Sequence, residues 1–162
     1  MNQLLSEQLS FVRITEILDN PSLVAGQFDK KHLLNLHAFI FQDSSEHKPG
    51  ITRKNTKEVW FKERVLENII DFNGAIQVLP THPVPYLNKN IDKVLEKTLN
   101  ISIKELSTLT LKEFAQNLTT LYSKLDYIHP FHEGNSRTLR TFTYLLAKEC
   151  AYTLNWNTTN VD

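Results

Sequence analysis

The chain has 162 residues, 41% of them hydrophobic and 22% charged, which suits one globular domain with a single core. Lys+Arg and Asp+Glu both number 18, so the formal net charge is zero, which argues against a general nucleic-acid or membrane-surface binder and leaves room for a small local basic site. A single cysteine, Cys150, allows no internal disulfide and fits a reducing compartment such as a cytoplasm.

The N-terminal stretch Met1 to Val12 carries Glu7 and no long apolar run. It does not read as a signal peptide, and no stretch is long enough to span a bilayer. The expected location is therefore cytoplasmic, unless a secretion system exports the protein to a host cell. From Leu4 to Leu18 the apolar positions Leu5, Leu9, Val12 and Ile17 follow helical spacing, and Asn20-Pro21 ends the run. A second helix is expected after Asp29, its candidate cap, through Leu33, Leu36, His37, Ile40 and Phe41. Asp43 to Thr56 is polar, holds Pro49-Gly50 and reads as a loop.

Val59 to Phe72 again suggests a helix. Ala75 to Leu79 is the best strand candidate, and the prolines Pro80, Pro83 and Pro85 fit a short exposed flap, about 75–85, better than a central strand. Leu87 to Leu99 reads as helix. Leu111 to Ile128 is the strongest one, because Phe114, Leu118, Leu121, Leu125 and Ile128 recur at spacings of four and three. Pro130 stops it, and Arg137 to Ala151 resumes the pattern, with Cys150 as a small core residue. The fold class is mainly α, a compact helical bundle with a small β-hairpin flap.

Between the last two helices lies His129-Pro130-Phe131-His132-Glu133-Gly134-Asn135-Ser136-Arg137-Thr138-Leu139-Arg140. His129 follows a packed helix, so a group that titrates near neutrality sits at a fixed place, as a general base requires. Phe131 can plug into the core. Gly134 allows close backbone approach or positive φ. Asn135 or Ser136 can cap the next helix, whose first N–H groups attract anions. Arg137 and Arg140 share one face of the first turn, where the helix dipole disfavours cations, so a polyphosphate is the ligand they suggest. Glu133 beside such a ligand suits Mg²⁺. The bland alternative stays open: His129 as a satisfied core histidine, and the arginines paired with Glu133 or surface acids. His32, His37, His47 and His82 have no recognisable metal-ligand spacing.

The same segment resembles the signature of the Fic (Fido) family, His-Pro-Phe-x-(Asp/Glu)-Gly-Asn-Gly-Arg-x-x-Arg, at every fixed position except Ser136. Phe28-Asp29 with Leu33, Leu36, His37 and Phe41 resembles the family's early helix. Pro49-Gly50-Ile51-Thr52-Arg53 resembles its Ala-Gly-x-x-Arg, with Lys48 where the family has a tryptophan. The likeness covers residues 28 to 158 within one domain of residues 1–162. It implies a Fic-type fold and a protein adenylyltransferase, which moves AMP from ATP to a Ser, Thr or Tyr hydroxyl of a target protein and releases pyrophosphate.

By that resemblance His129 is the base and Glu133 holds Mg²⁺. Gly134, Asn135 and Ser136 form the anion hole, while Arg137 and Arg140 hold the β- and γ-phosphates. His132 has no catalytic role and is expected in solvent. The flap at 75–85 is expected to register the target through main-chain hydrogen bonds. Alternatives are a relative that transfers another phosphate-linked group, and a catalytically weak nucleotide-binding or interaction module, which Ser136 favours. Fic cores usually continue further than the 22 residues that follow Arg140 here. Many are restrained by an inhibitory (Ser/Thr)-x-x-x-Glu-(Gly/Asn) helix, or by a separate antitoxin-type partner. Thr15 to Asn20 is a near miss, with Asp19 in place of the glutamate.

Overall fold

The computed structural model describes residues 3–64, 68–70, 76–78 and 82–156, with the side chains of residue 3 and of residues 63–82 left aside. The element order is α1 (Gln3–Asp19), α2 (Lys30–Ile40), β1 (Phe61–Arg64), β2 (Asn68–Ile70), β3 (Ile76–Val78), β4 (His82–Pro85), α3 (Ile91–Thr98), α4 (Ile103–Leu106), α5 (Leu111–Ile128) and α6 (Asn135–Glu149). The mainly α class with a small β flap holds.

Local chemistry sets most helix ends. Asp29 caps α2 by accepting from the His32 N–H, as its position suggested. Thr110 and Glu113 form a reciprocal capping box at the start of α5. Gly134 precedes α6 at φ 76, and a Cβ there would overlap the Phe41 ring, so both conformation and space require glycine. Neither Asn135 nor Ser136 caps α6, in contrast to the sequence expectation: no side chain caps that end, and Asn135 is already the first helical residue.

The apolar stripes of α2, α5 and α6 meet in one core. Leu33, Leu36, Leu125, Ile128, Leu139 and Phe142 are essentially inaccessible, and Cys150 is buried with them. Ile17 is the deepest anchor of α1.

The segment Val59 to Phe72 is not a helix. Its described parts form β1 and β2 of a long hairpin, in which β1 pairs with β4 and β2 with β3, all antiparallel. Phe61 lies opposite Pro85 and Lys62 opposite Val84. The flap therefore starts well before 75–85, and Ala75 and Leu79 to Thr81 lie outside the described residues. Its base ladder continues inward, because the Tyr86 N–H donates to the Trp60 carbonyl at 2.8 Å and the Leu87 N–H to the Tyr127 carbonyl at 2.9 Å.

Arg53 ties these parts together. Its side chain is 1% exposed. It donates from Nε to the His129 carbonyl at 2.5 Å and from Nη2 to the Ile128 carbonyl at 2.9 Å, and Nη2 also donates to the Leu87 carbonyl. Its backbone N–H reaches the Pro130 carbonyl at 2.8 Å, beside an antiparallel bridge from Thr52 to Phe131. Charge-assisted bonds of this kind contribute more than neutral ones, and their buried acceptors cannot turn to water. Arg53→Met is expected to lower the unfolding free energy by about 3 kcal/mol or more, read as a shift of the urea midpoint. A loss below about 1 kcal/mol would mean that water takes over those carbonyls.

Candidate functional site

The turn from α5 to α6 is held from below. Phe131 is fully buried and stacks flat on His37, with ring centroids 3.8 Å apart and 6° between planes. His37 accepts at Nδ1 from the Gly50 N–H (3.0 Å), so its proton sits on Nε2, which donates to the Glu133 carbonyl (3.0 Å). The side chain of Asn135 turns back into the loop. Its Oδ1 accepts from the Phe131 N–H at 2.9 Å, and its Nδ2 donates to the Phe131 carbonyl at 2.8 Å. Asn135 thus shapes the loop with its side chain and leaves its backbone N–H outside.

That loop leaves a row of backbone donors at the start of α6. The Thr138 N–H donates to the Gly134 carbonyl, so the helical ladder begins only there, and the N–H groups of Asn135, Ser136 and Arg137 precede it. Three such donors at the positive end of a 15-residue helix attract phosphate. Ser136 is exposed, so its hydroxyl lies on the open side of this turn. Glu133 is exposed in the same turn and offers a hard oxygen ligand.

His129 is the C-cap of α5, in the left-handed conformation at φ 48. A non-glycine residue there is strained, and Arg53 holds its carbonyl in place. The imidazole is half-buried and stacks on Tyr86 at 3.8 Å and 16°. Its Nδ1 is enclosed with no hydrogen-bond partner among the described residues. Burial pushes its pKa down to about 4. Asp126 opposes this, while Arg53 and Lys62 reinforce it. The ring is therefore neutral at pH 7 and can accept a proton.

The two arginines have different surroundings. Arg137 is engaged by α1: Nη1 donates to the Glu7 carboxylate and to Ser10 Oγ, both at 2.6 Å, and Nη2 reaches the other Glu7 oxygen at 3.3 Å. Its guanidinium also lies 4.7 Å over the Phe41 ring. Arg140 lies 5.5 Å over the Trp156 ring, and its Nε is buried with no hydrogen-bond partner among the described residues. Such an unmet donor fits an anion better than a finished structural contact.

The sequence reading missed Glu7. It pointed instead to Asp19, which is exposed at the opposite end of α1. His132 is partly covered rather than free in solvent: it meets Trp60 edge-on at 6.1 Å, and its Nε2 lies 3.5 Å from Lys48 Nζ.

The sequence profile of the Fic/DOC family matches residues 27–147. The chain is 27% identical over 134 residues to protein adenylyltransferase VbhT of Bartonella schoenbuchensis, covering 83% of this chain and 24% of that protein. It is 42% identical over 52 residues to a protein adenylyltransferase of Bartonella henselae, covering 32% of this chain and 10% of the relative. The chain thus spans a quarter or less of these relatives' lengths.

Among solved structures, the FIC domain of the Bartonella effector Bep8, from Bartonella sp. 1-1C, superposes with a TM-score of 0.69 at 20% identity, over 99% of this chain and 72% of that one. BepC of Bartonella tribocorum, solved with bound AMPPNP, gives 0.64 at 23% identity, over 98% and 75%. These structural likenesses establish the fold. Among the described residues no helix is long and apolar enough to cross a membrane.

The buried His37 makes this loop sensitive to acid. Burial lowers its pKa from 6.5 to about 4. The unfolded chain therefore binds the proton more readily between those values, and stability must fall as pH drops from 6.5 to 4. The loss is on the order of 3 kcal/mol once the ring is charged. The melting temperature is expected to fall across this window, and His37→Gln should flatten the slope. Equal slopes in the two proteins would contradict this role for His37.

Proposed function

The chain belongs to the Fic/DOC family, and on that premise we propose that it transfers AMP from ATP to a Ser, Thr or Tyr hydroxyl of a target protein. One observation carries this reading. A neutral imidazole on the C-cap of α5 adjoins a turn whose free N–H groups, Arg137 and Arg140 belong to the same α6 N-terminus. A base and a polyphosphate cradle placed side by side are what nucleotidyl transfer needs.

In the proposed reaction, the target hydroxyl gives its proton to Nε2 of His129 while its oxygen bonds to the α-phosphorus. The bond from that phosphorus to the bridging oxygen breaks, and pyrophosphate leaves. The N–H groups of Asn135, Ser136 and Arg137 stabilise charge on the phosphate oxygens. Gly134 lets the backbone make that turn. Arg137 holds the β-phosphate side and Arg140 the γ-phosphate. Glu133 would hold Mg²⁺, which would supply positive charge to offset that of the phosphates. The donor fits, since Glu133 supplies a hard, exposed carboxylate.

In this proposal the target strand adds to an edge of the β1–β4 ladder, which has two strands among the described residues. Backbone pairing of this kind aligns a hydroxyl and leaves the choice of target to other surfaces. A separate antitoxin-type inhibitor and export to a host cell remain part of this proposal, and the relatives named as translocated Bartonella effectors support the second.

Labelled ATP incubated with a lysate and the chain tests the reaction. His129→Ala is expected to lower label transfer by about 10²–10⁴-fold with ATP affinity nearly unchanged. Wild-type transfer by that variant would remove His129 from the mechanism. Glu7 competes for the guanidinium assigned to the β-phosphate, so Glu7→Gln is expected to tighten ATP binding several-fold in calorimetry. Unchanged affinity would identify the Glu7 pair as a fixed structural tie that Arg137 keeps when nucleotide is bound.

A further inference from the structure

The two arginines of α6 are held differently. Arg137 lies over the Phe41 ring, and its N–H groups are also taken by Glu7 and Ser10. Arg140 is held by its face: its guanidinium lies 5.5 Å over the Trp156 ring. No hydrogen bond or ion pair engages that guanidinium among the described residues. The indole also grips the main chain of the same residue, because its Nε1–H donates to the Arg140 carbonyl at 3.2 Å. Tyr122 of α5 packs against the indole, with ring centroids 5.0 Å apart and 49° between planes. Trp156 lies beyond residue 147, where the family profile ends.

Trp156 reaches Arg140 because the chain reverses at the end of α6. Cys150 caps the helix, and Ala151 follows in the left-handed conformation at φ 63. The Ala151 N–H donates to the Lys148 carbonyl at 3.1 Å and the Tyr152 N–H to the Ala147 carbonyl at 2.8 Å, the paired bonds of a Schellman turn. Tyr152 then stacks on Phe114 at 4.0 Å and 18°, and its hydroxyl donates to the Leu109 carbonyl. These contacts fix the root of the tail on α5 and α6. From Arg140 to Cys150 the helix rises about 15 Å, and the chain from Cys150 to Trp156 spans about 20 Å when extended. The tail therefore runs back along α6 with little slack, and its indole meets the arginine near the start of that helix.

A guanidinium carries all of its N–H groups in one plane, pointing outward from its edge. An aromatic face orders that plane and uses none of the donors. A carboxylate orders it too, but occupies donors and sets negative charge beside an incoming phosphate. We infer that Trp156 is the positioning residue for Arg140, holding the guanidinium over the indole with its edge ready for the terminal phosphate of a nucleoside triphosphate. This role rests on the reading that assigns the γ-phosphate to Arg140. Ordering a long side chain before the ligand arrives removes a cost that a loose arginine meets on binding. The benefit falls on ATP and not on ADP, which has no γ-phosphate.

Calorimetry with ATP and with ADP on the intact chain tests this role, with Arg140→Ala as the reference for a lost γ-phosphate contact. Trp156→Leu is expected to weaken ATP binding by about 2- to 10-fold and to leave ADP binding unchanged. Trp156→Phe should recover most of the loss, because the aromatic face returns without the N–H. A second readout needs no change in the tail. The chain has two tryptophans, so Trp60→Phe assigns the indole N–H resonance of Trp156 in an NMR titration. That resonance should shift on adding ATP and stay in place with AMP. If Trp156→Leu does not fold, the titration decides: a resonance that moves equally with ATP and AMP, or with neither, overturns the role. Equal losses for ATP and ADP in Trp156→Leu would make Trp156 a packing residue only, and unchanged ATP affinity would overturn the role as well. If Arg140→Ala loses a preference for ATP that Trp156→Leu keeps, the positioning role fails and the phosphate assignment stands. A wild type that binds ATP and ADP alike rejects the assignment of Arg140 itself, and the role of Trp156 falls with it.

Discussion

A single buried guanidinium decides how this site is assembled. Arg53 has no carboxylate partner in any described ion pair, so its charge is answered by oxygen dipoles instead. Two of them, the Ile128 and His129 carbonyls, end α5, where the helix dipole is negative and a cation is favoured. A third is the Leu87 carbonyl at the exit of the flap, and the Trp60 ring lies 5.1 Å away. One side chain therefore fixes the end of the helix, the root of the hairpin and the entry to the turn. It also supports the left-handed backbone of His129, which strains a residue other than glycine. Burial lowers the pKa of Arg53, yet an arginine remains charged in any ordinary medium, so the pull on those carbonyls persists. The position of the proposed base thus follows from a buried residue whose guanidinium is engaged by backbone carbonyls.

The second constraint is the division of labour within the turn. Side chains of Phe131 and Asn135 point inward and are used up there, by the His37 stack and by the paired bonds to the loop backbone. What remains outward is backbone N–H, together with Ser136, Glu133 and the two arginines. An inward set that is fully bonded keeps the outward donors preorganised, and a preorganised donor needs little reorganisation when charge develops in front of it. Ser136 fits this scheme without strain, since its side chain projects to solvent while its amide keeps its place in the row.

The helices were legible because each buries one periodic stripe, and the limits expected for α5 coincide with those observed. The Asp29 cap and the core positions of Phe131 and Cys150 were legible for the same local reasons. Val59 to Phe72 misled because its described parts pair as short strands, β1 and β2, with β4 and β3. Strands of that kind carry no clean period of two, and their apolar residues mimic a helical spacing. The end of α6 misled because Asn135 can either cap a helix or bridge a loop. The choice was made by Phe131, a tertiary neighbour in the turn. The four-residue α4 has too few positions for any period and rests on its Ser102 cap. The motif residues were legible as a set, whereas their partners from other elements were not. Glu7 and Arg137 are 130 residues apart, and no local pattern links them.

One member of that last pair lies outside the segment that the family profile matches. The family profile covers residues 27–147, and α1 ends at Asp19, outside it. Yet α1 supplies Glu7 and Ser10 to Arg137, and Phe11 lies under the same guanidinium at 5.7 Å. His47 adds a ring nitrogen 3.4 Å from Arg137 and 3.7 Å from Glu7, so the cluster is polar, partly buried and shared among three segments. An ion pair of this kind holds a long side chain in one rotamer, which removes an entropic cost that a free arginine would meet on binding a phosphate. It also sets a carboxylate against that phosphate, which raises the cost again. The repulsion outweighs the ordering, so the Glu7 side chain has to swing away when a phosphate binds. Glu7 is about 39% exposed, one turn from the start of α1, and α1 is anchored in the core mainly through Ile17 at its far end. The anchored end and the contacting end are thus separated along one helix. A modest tilt of α1 moves Glu7 much more than it moves Ile17, so the element outside the family profile is the one best placed to change what Arg137 can do.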